Sequence, residues 1–424
     1  MDLNNIKIGE YMKCPLCNSK KQEQLLSLQC DNLDRSFLYN PIIILGCNQC
    51  GHVFNKLNKH NNKNLIKYYG TEYSLSNITS PNMEGDIPGS SNKNSLARYS
   101  LLFDFIKDSL HPDYKILDVG CAMGGFLHYL ENQGYHNLYG IDFSNPFIEK
   151  SVKSDKLNIK LGSAENIPYK KNYFDFITSD QVVEHLFDPN KIFTEAKRVL
   201  KKNGLLCISV PNSILYDSPL SYSMYDNQQY SFDFFWFLMK EHLQHFDLTH
   251  LILLGKKHGF TFIDNINTIT SMSSDTVKLQ NLSVLFKNSD IPKDPFKDFI
   301  PHFIFDLIKQ VKEYIQHSYE KLVIKQQIIN NLVVSHIPLH IFGISREFFY
   351  LYSNTNLSKC NIINLVDDTY YKQKFFTFKS QKIIGREILR NSKDYVLITA
   401  CAHITKIKKI LKEELDFKGE TIEI

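Results

Sequence analysis

The sequence lacks a surplus of charge of either sign. Among 424 residues, 49 are basic and 45 acidic, giving a formal net charge of +4 with the two signs interspersed. That balance provides no backbone-binding footprint for nucleic acid. It also lacks any run of 18 uncharged apolar residues, so neither a spanning helix nor a membrane partner is expected. The opening MDLNNIKIGEYMK has no long apolar core and no cleavage signal, which points to a cytoplasmic protein. Nine cysteines form an odd, unevenly spaced set and do not read as a disulfide framework. There is no HExxH order, and the full glycine fingerprint of a dinucleotide-dependent dehydrogenase is missing. What remains is a long chain, 43% hydrophobic, expected to fold as two or three domains.

The organising stretch is residues 114–124, YKILDVGCAMG. The apolar run 116–119 is followed at once by Gly120, with Gly124 and Gly125 where a helix should begin. A strand, a tight turn and a helix N-terminus bring backbone groups against a cofactor. Asp118 lies at the carboxyl end of that strand, where open α/β sheets place ligands. A second strand over 137–142 ends in Asp142, placed to accept both ribose hydroxyls of an adenosine. A third unit covers 161–165, and a fourth strand, 174–179, runs into Asp180 and then Glu184-His185.

In order, LDVGCAMGG, GIDFS, GSAENIPY and DQVVEHLFDP resemble the motifs of class I S-adenosylmethionine-dependent methyltransferases. The resemblance implies a Rossmann-like α/β core. Gly120, Cys121 and Ala122 would offer backbone to the methionine moiety, and Asp118 would face its ammonium. Asp142 would hold the ribose, Phe143 would lie beside the adenine, and Ala164 and Glu165 would meet the adenine edge. Asp180 would close the site at the fourth strand. Ala122 stands where the family carries its middle glycine, which narrows the freedom of the turn.

Cys14-x-x-Cys17 and Cys47-x-x-Cys50 supply four thiolates suited to a structural Zn²⁺. Cys30 reads as a packed thiol. A Ser/Asn/Pro/Gly-rich loop over 74–94 is long enough to act as a lid or substrate-facing segment. Residues 213–246 concentrate aromatics, including Tyr216, Tyr222, Tyr225, Tyr230, Phe232, Phe234, Phe235 and Trp236. Such rings suit a sugar or a nucleobase, and equally a packing face against a third domain. His242 and His245 would share a face if their segment were helical. Residues 290–330 read as helical, with Phe299 and Phe303 among the buried candidates. Short apolar runs at 337–343, 361–366 and 395–399 then predict a second Rossmann-like unit.

A four-cysteine domain, a methyltransferase core and such a C-terminal unit together resemble sugar C-methyltransferases. The implied domains are 1–75 for zinc, 76–270 for S-adenosylmethionine and 271–424 to help bind substrate. The implied substrate is a small molecule, a nucleotide-linked sugar, acted on by a monomer or dimer; the alternatives are O- or N-methylation of another small metabolite, or a non-catalytic zinc-stabilised scaffold. Where that family carries Tyr-His-Glu-His, this chain has Met239-Lys240-Glu241-His242. The candidate bases are therefore His242, His185 and His245, with Glu241 orienting one of them. His185 also reads as a residue that packs the helix after strand four.

Overall fold

The computed structural model describes residues 13–73, 89–216, 233–271, 278–289 and 306–424. The N-terminal part is an antiparallel meander of β1 (Gln22–Leu28), β2 (Ile42–Cys47) and β3 (Val53–Asn55), followed by α1 (Lys59–Tyr68). Asn58 caps α1 by accepting from the Asn61 N–H, in a capping box. After the next described residue, Gly89, come α2 (Lys93–Ile106), β4 (Ile116–Val119), α3 (Gly125–Asn132), β5 (Leu138–Asp142), α4 (Asn145–Lys150), β6 (Leu157–Leu161) and β7 (Phe174–Asp180). Then follow α5 (Asn190–Val199), β8 (Leu200–Pro211), a single turn α6 (Phe235–Leu238), β9 (Gln244–His245), α7 (Leu248–Lys257), β10 (Phe260–Ser271) and β11 (Lys278–Asn288).

These strands form a seven-stranded sheet in the order β10-β11-β8-β7-β4-β5-β6. It is parallel from β6 to β8, and β11 lies antiparallel between β8 and β10. All four residues of β4 are buried, as expected of a parallel strand covered on both faces. Helix α5 turns Ile192, Phe193, Ala196 and Val199 inward at helical spacing and leaves its charges outside. The strand order reverses at β4, so a crevice opens between the carboxyl ends of β4 and β7.

The C-terminal part begins with the long α8 (Asp306–Ser335) and continues with β12 (Leu339–Phe342), α9 (Arg346–Asn354), β13 (Ile362–Val366), α10 (Tyr370–Phe375), β14 (Thr377–Phe378), β15 (Gln381–Ile384), β16 (Tyr395–Ile398), α11 (Ile404–Glu413) and β17 (Thr421–Glu423). Its sheet runs β14-β15-β13-β12-β16-β17, parallel except for the β14–β15 hairpin. The three apolar runs seen in the sequence are β12, β13 and β16. No helix among the described residues is long and apolar enough to cross a membrane.

Two boundaries differ from the sequence reading. The central sheet includes β11, so it runs past residue 270 to Asn288. Strand β9, deep in the central segment, joins the N-terminal sheet as its fourth strand, with Val53 opposite His245. One continuous core then unites Leu26, Ile42 and Ile44 with residues 234–239 and with Leu307, Val311 and Ile315 of α8. The aromatic run accordingly packs where it is described. Tyr216 stacks on Trp236 at 4.8 Å, and Phe234 meets Tyr319 and Tyr350. Tyr222, Tyr225, Tyr230, Phe232, Phe299, Phe303 and positions 74–88 of the long loop lie outside the described residues.

Candidate functional site

At the crevice, β4 gives way to a turn in which Gly120 and Gly124 both have φ +83°. A Cβ on Gly120 would stand 2.3 Å from Val182 Cγ2, so only glycine fits. Ala122 is itself left-handed, at φ +46°, in the place where a glycine was anticipated. The N–H groups of Gly120 and Cys121 both donate to Ile141 O, and that of Ala122 donates to Asp142 Oδ2 at 2.9 Å. These amides are thus engaged within the protein. Asp142 Oδ1 accepts from the Ser144 N–H at 2.8 Å, which fixes the carboxylate at the end of β5. Burial raises its pKa to about 6 against those N–H groups.

Asp118 is buried and pushed up to about 8, first by burial and then by Asp180 and Asp142, with Arg98 opposing. Arg98 Nε reaches Asp180 Oδ2 at 3.3 Å. A crevice with three acids and one guanidinium suits a cationic ligand, and S-adenosylmethionine carries a sulfonium and an ammonium. Phe143 is 42% exposed at the end of β5, open to a stacking partner. Ala164 packs beside the core of the central sheet. The Glu165 carboxylate is committed to Lys191 of α5 at 2.5 Å.

Beyond the crevice, a file of rings leads away from the cofactor end. Phe143 meets Tyr69 edge-on at 5.7 Å, Tyr69 meets His185 at 5.7 Å, and His185 meets His242 at 4.8 Å. His185 Nδ1 is 2.8 Å from the Tyr69 hydroxyl and donates to the Glu241 carbonyl at 3.0 Å. That tautomer leaves Nε2 as a base, 3.8 Å from Glu184 Oε1. His242 Nδ1 and both Glu184 carboxyl oxygens are buried without a hydrogen-bond partner. Burial lowers the proton affinity of both histidines, His242 well below the ordinary value with help from His185, His245 and Arg346. It raises Glu184 and Tyr69 well above theirs, so carboxyl and phenol stay protonated. The Glu241 charge acts on Tyr69, His185 and Arg346.

His245 is not part of this group. Its two ring nitrogens are taken by the Tyr216 hydroxyl at 2.8 Å and Asn55 Oδ1 at 2.9 Å, and its pKa falls to about 3 by burial. The segment is extended rather than helical, so His242 and His245 share no helix face. The N-terminal domain anchors it. Buried Lys240 donates to Cys30 O and Asn32 Oδ1, both at 2.5 Å, and the Tyr39 hydroxyl donates to Lys240 O at 2.8 Å. Met239 is buried in the core.

Cys14 Sγ lies 3.6 Å from Cys50 Sγ and Cys17 Sγ 3.5 Å from Cys47 Sγ, and all four sulfurs fall within 4.8 Å of one another. A tetrahedron with metal–sulfur bonds of about 2.3 Å has edges of about 3.8 Å, so the set fits a Zn²⁺ ion. All nine cysteines are free thiols. Sequence reasoning did not single out Tyr69, Glu184 and Arg346. Glu184 was within reach as the other half of the Glu-His pair. Tyr69 is 116 residues from its partner, and no local pattern announces it.

The open α/β sheet, the glycine turn and the acid at the end of β5 together form this crevice. Residues 117–208 match the family profile described as a methyltransferase domain. Over this central segment, which has a Rossmann-like α/β fold, the chain is similar to S-adenosylmethionine-dependent methyltransferases. A methyltransferase of Schizosaccharomyces pombe is 33% identical over 109 residues, covering 22% of this chain and 38% of that protein. The ubiquinone biosynthesis O-methyltransferase of Pelagibacter ubique is 34% identical over 128 residues, covering 26% and 52%. The chain thus spans about half or less of the length of these relatives. A solved S-adenosylmethionine-dependent methyltransferase from Methanosarcina mazei superposes with a TM-score of 0.35 at 19% identity, over 44% of this chain and 98% of that one.

Proposed function

We propose that the protein methylates a nucleotide-linked sugar, with His242 as general base and Glu241 and His185 orienting and supporting it. The observation that carries this reading is the file Phe143–Tyr69–His185–His242, which runs from the cofactor end to a buried, neutral imidazole with an unpartnered nitrogen. When bound, S-adenosylmethionine supplies an electrophilic methyl group on a sulfonium. Asp142 holds the ribose hydroxyls, Phe143 flanks the adenine, and the acids Asp118 and Asp180 favour the cationic end. His242 removes a proton from the substrate. His242 is itself buried, which keeps the base away from solvent.

Transfer to carbon needs a neutral donor for an enolate oxygen. Met239 cannot provide one, but the Tyr69 phenol, kept protonated by burial, stands beside His185. Met239 in the place of tyrosine is the observation that favours a second reading, transfer to oxygen or nitrogen. In either case Zn²⁺ on Cys14, Cys17, Cys47 and Cys50 would support the sheet that carries β9.

Labelled methyl donor with a panel of nucleotide sugars tests the proposal, with the methylated atom located by NMR. His242→Ala should cut turnover by about 10²–10⁴ with S-adenosylhomocysteine affinity unchanged. Transfer to a keto-sugar carbon lost in Tyr69→Phe supports carbon chemistry, and transfer to oxygen or nitrogen alone supports the second reading. No transfer to any nucleotide sugar removes the substrate class.

A further inference from the structure

We propose that Arg346, contributed by the third domain, recognises a phosphate oxyanion of the substrate at the base end of the cleft. This rests on reading the cleft as a nucleotide-sugar site. Arg346 opens α9 just beyond the carboxyl end of β12, the edge at which open α/β sheets meet ligands. Its guanidinium lies over Phe235, with Cζ 5.7 Å from the ring centroid, an arrangement that fixes the plane of the fork. Nη1 is buried and has no hydrogen-bond partner.

Arg346 is half-buried as a residue, and the fully buried cations offer the contrast. Lys325 is paired with Asp233 at 2.9 Å, and Lys240 is held by Cys30 O and Asn32 Oδ1. Arg346 makes no ion pair and no side-chain hydrogen bond among the described residues. Glu241 and Glu347 act on it only from a distance, and the Glu347 carboxylate is turned to the Ser345 hydroxyl. A buried Nη1 without a partner is costly, and the planar donors of the guanidinium match a phosphate bidentately. The same charge depresses the proton affinity of His242. A phosphate on Arg346 would therefore hold the attached sugar against the base, and the site is incomplete without the third domain.

Calorimetry on the full chain provides the test, with uridine diphosphate, thymidine diphosphate and inorganic pyrophosphate as probes. Arg346→Met should weaken binding of at least one nucleoside diphosphate, and of pyrophosphate, by about ten- to hundredfold. Arg346→Lys, which keeps the charge and loses the fork, should fall between. Affinity for S-adenosylhomocysteine should be unchanged in both variants, which also verifies that they fold. Equal anion affinity in wild type and Arg346→Met overturns the proposal, as does failure of the wild type to bind any of the three anions. Loss of turnover with unchanged anion affinity also overturns it, because Arg346 would then act on the reaction rather than on a bound phosphate. Absence of S-adenosylhomocysteine binding in the wild type is a separate result that removes the methyltransferase reading.

Discussion

The central and C-terminal sheets share one local construction and differ in charge. In each, the chain order reverses at the first strand, β4 or β12, and a glycine with positive φ follows, Gly120 or Gly343. In each, an acid at the end of the second strand clips that turn. Asp142 accepts from the Ala122 and Ser144 N–H groups, and Asp367 from those of Ile344 and Thr369. The difference is what stands beside the clip. Asp367 is neutralised by Lys372 at 2.7 Å. Asp142 has no cation on it among the described residues and shares its crevice with Asp118 and Asp180. Topology provides a crevice in both sheets, and electrostatics leaves only one of them suited to a cationic cofactor.

The largest expected effect separates the two acids. Asp142→Asn should weaken S-adenosylmethionine binding by about 10–100-fold, the worth of a charged hydrogen bond, while Asp367→Asn should leave it unchanged. Calorimetry on both variants checks this, and equal losses would break the distinction. Next, Lys372→Met should cost about 1–3 kcal/mol, read by denaturant melting, because it strands the Asp367 carboxylate.

A third effect concerns protons. Asp118 and Asp142 have folded pKa values of about 8 and about 6, above the unfolded carboxylate value, so the folded state holds the extra protons. Without ligand, stability should fall as pH rises through that window. A cationic cofactor favours the ionised acids, so binding near neutral pH should release protons, measurable by titration in buffers of different ionisation enthalpy. His242 and His185, held neutral by burial, should add no loss of activity on mild acidification. The smallest effect is at the turn. Ala122→Gly should raise stability by about 0.5 kcal/mol by relieving the left-handed alanine, and no change would mean that the turn already relaxes.

The cofactor end was legible because its signals are local. Strand, glycine turn and terminal acid recur within about 30 residues, and parallel strands buried on both faces must be continuously apolar. The grouping of the cysteine pairs was legible for the same reason, since each pair is a short local spacing, and the four sulfurs lie within 4.8 Å of one another. Of the helix expected at 290–330, the described part from Asp306 onward is α8, and the strands of the third domain fall where their apolar runs lie. The domain boundary at 270 failed because β10 and β11 are separate runs in sequence and one hairpin in space.

The base end is assembled from Tyr69, His185, the 239–245 segment and Arg346, which lie far apart in the chain, and no periodicity links them. The sequence by itself determined the cofactor-binding architecture, through local strand, turn and acid chemistry. Only the tertiary structure decided which histidine keeps a nitrogen without a partner. Identical imidazoles at 242 and 245 differ because Tyr216 and Asn55 occupy both nitrogens of one, while burial leaves Nδ1 of the other without a partner.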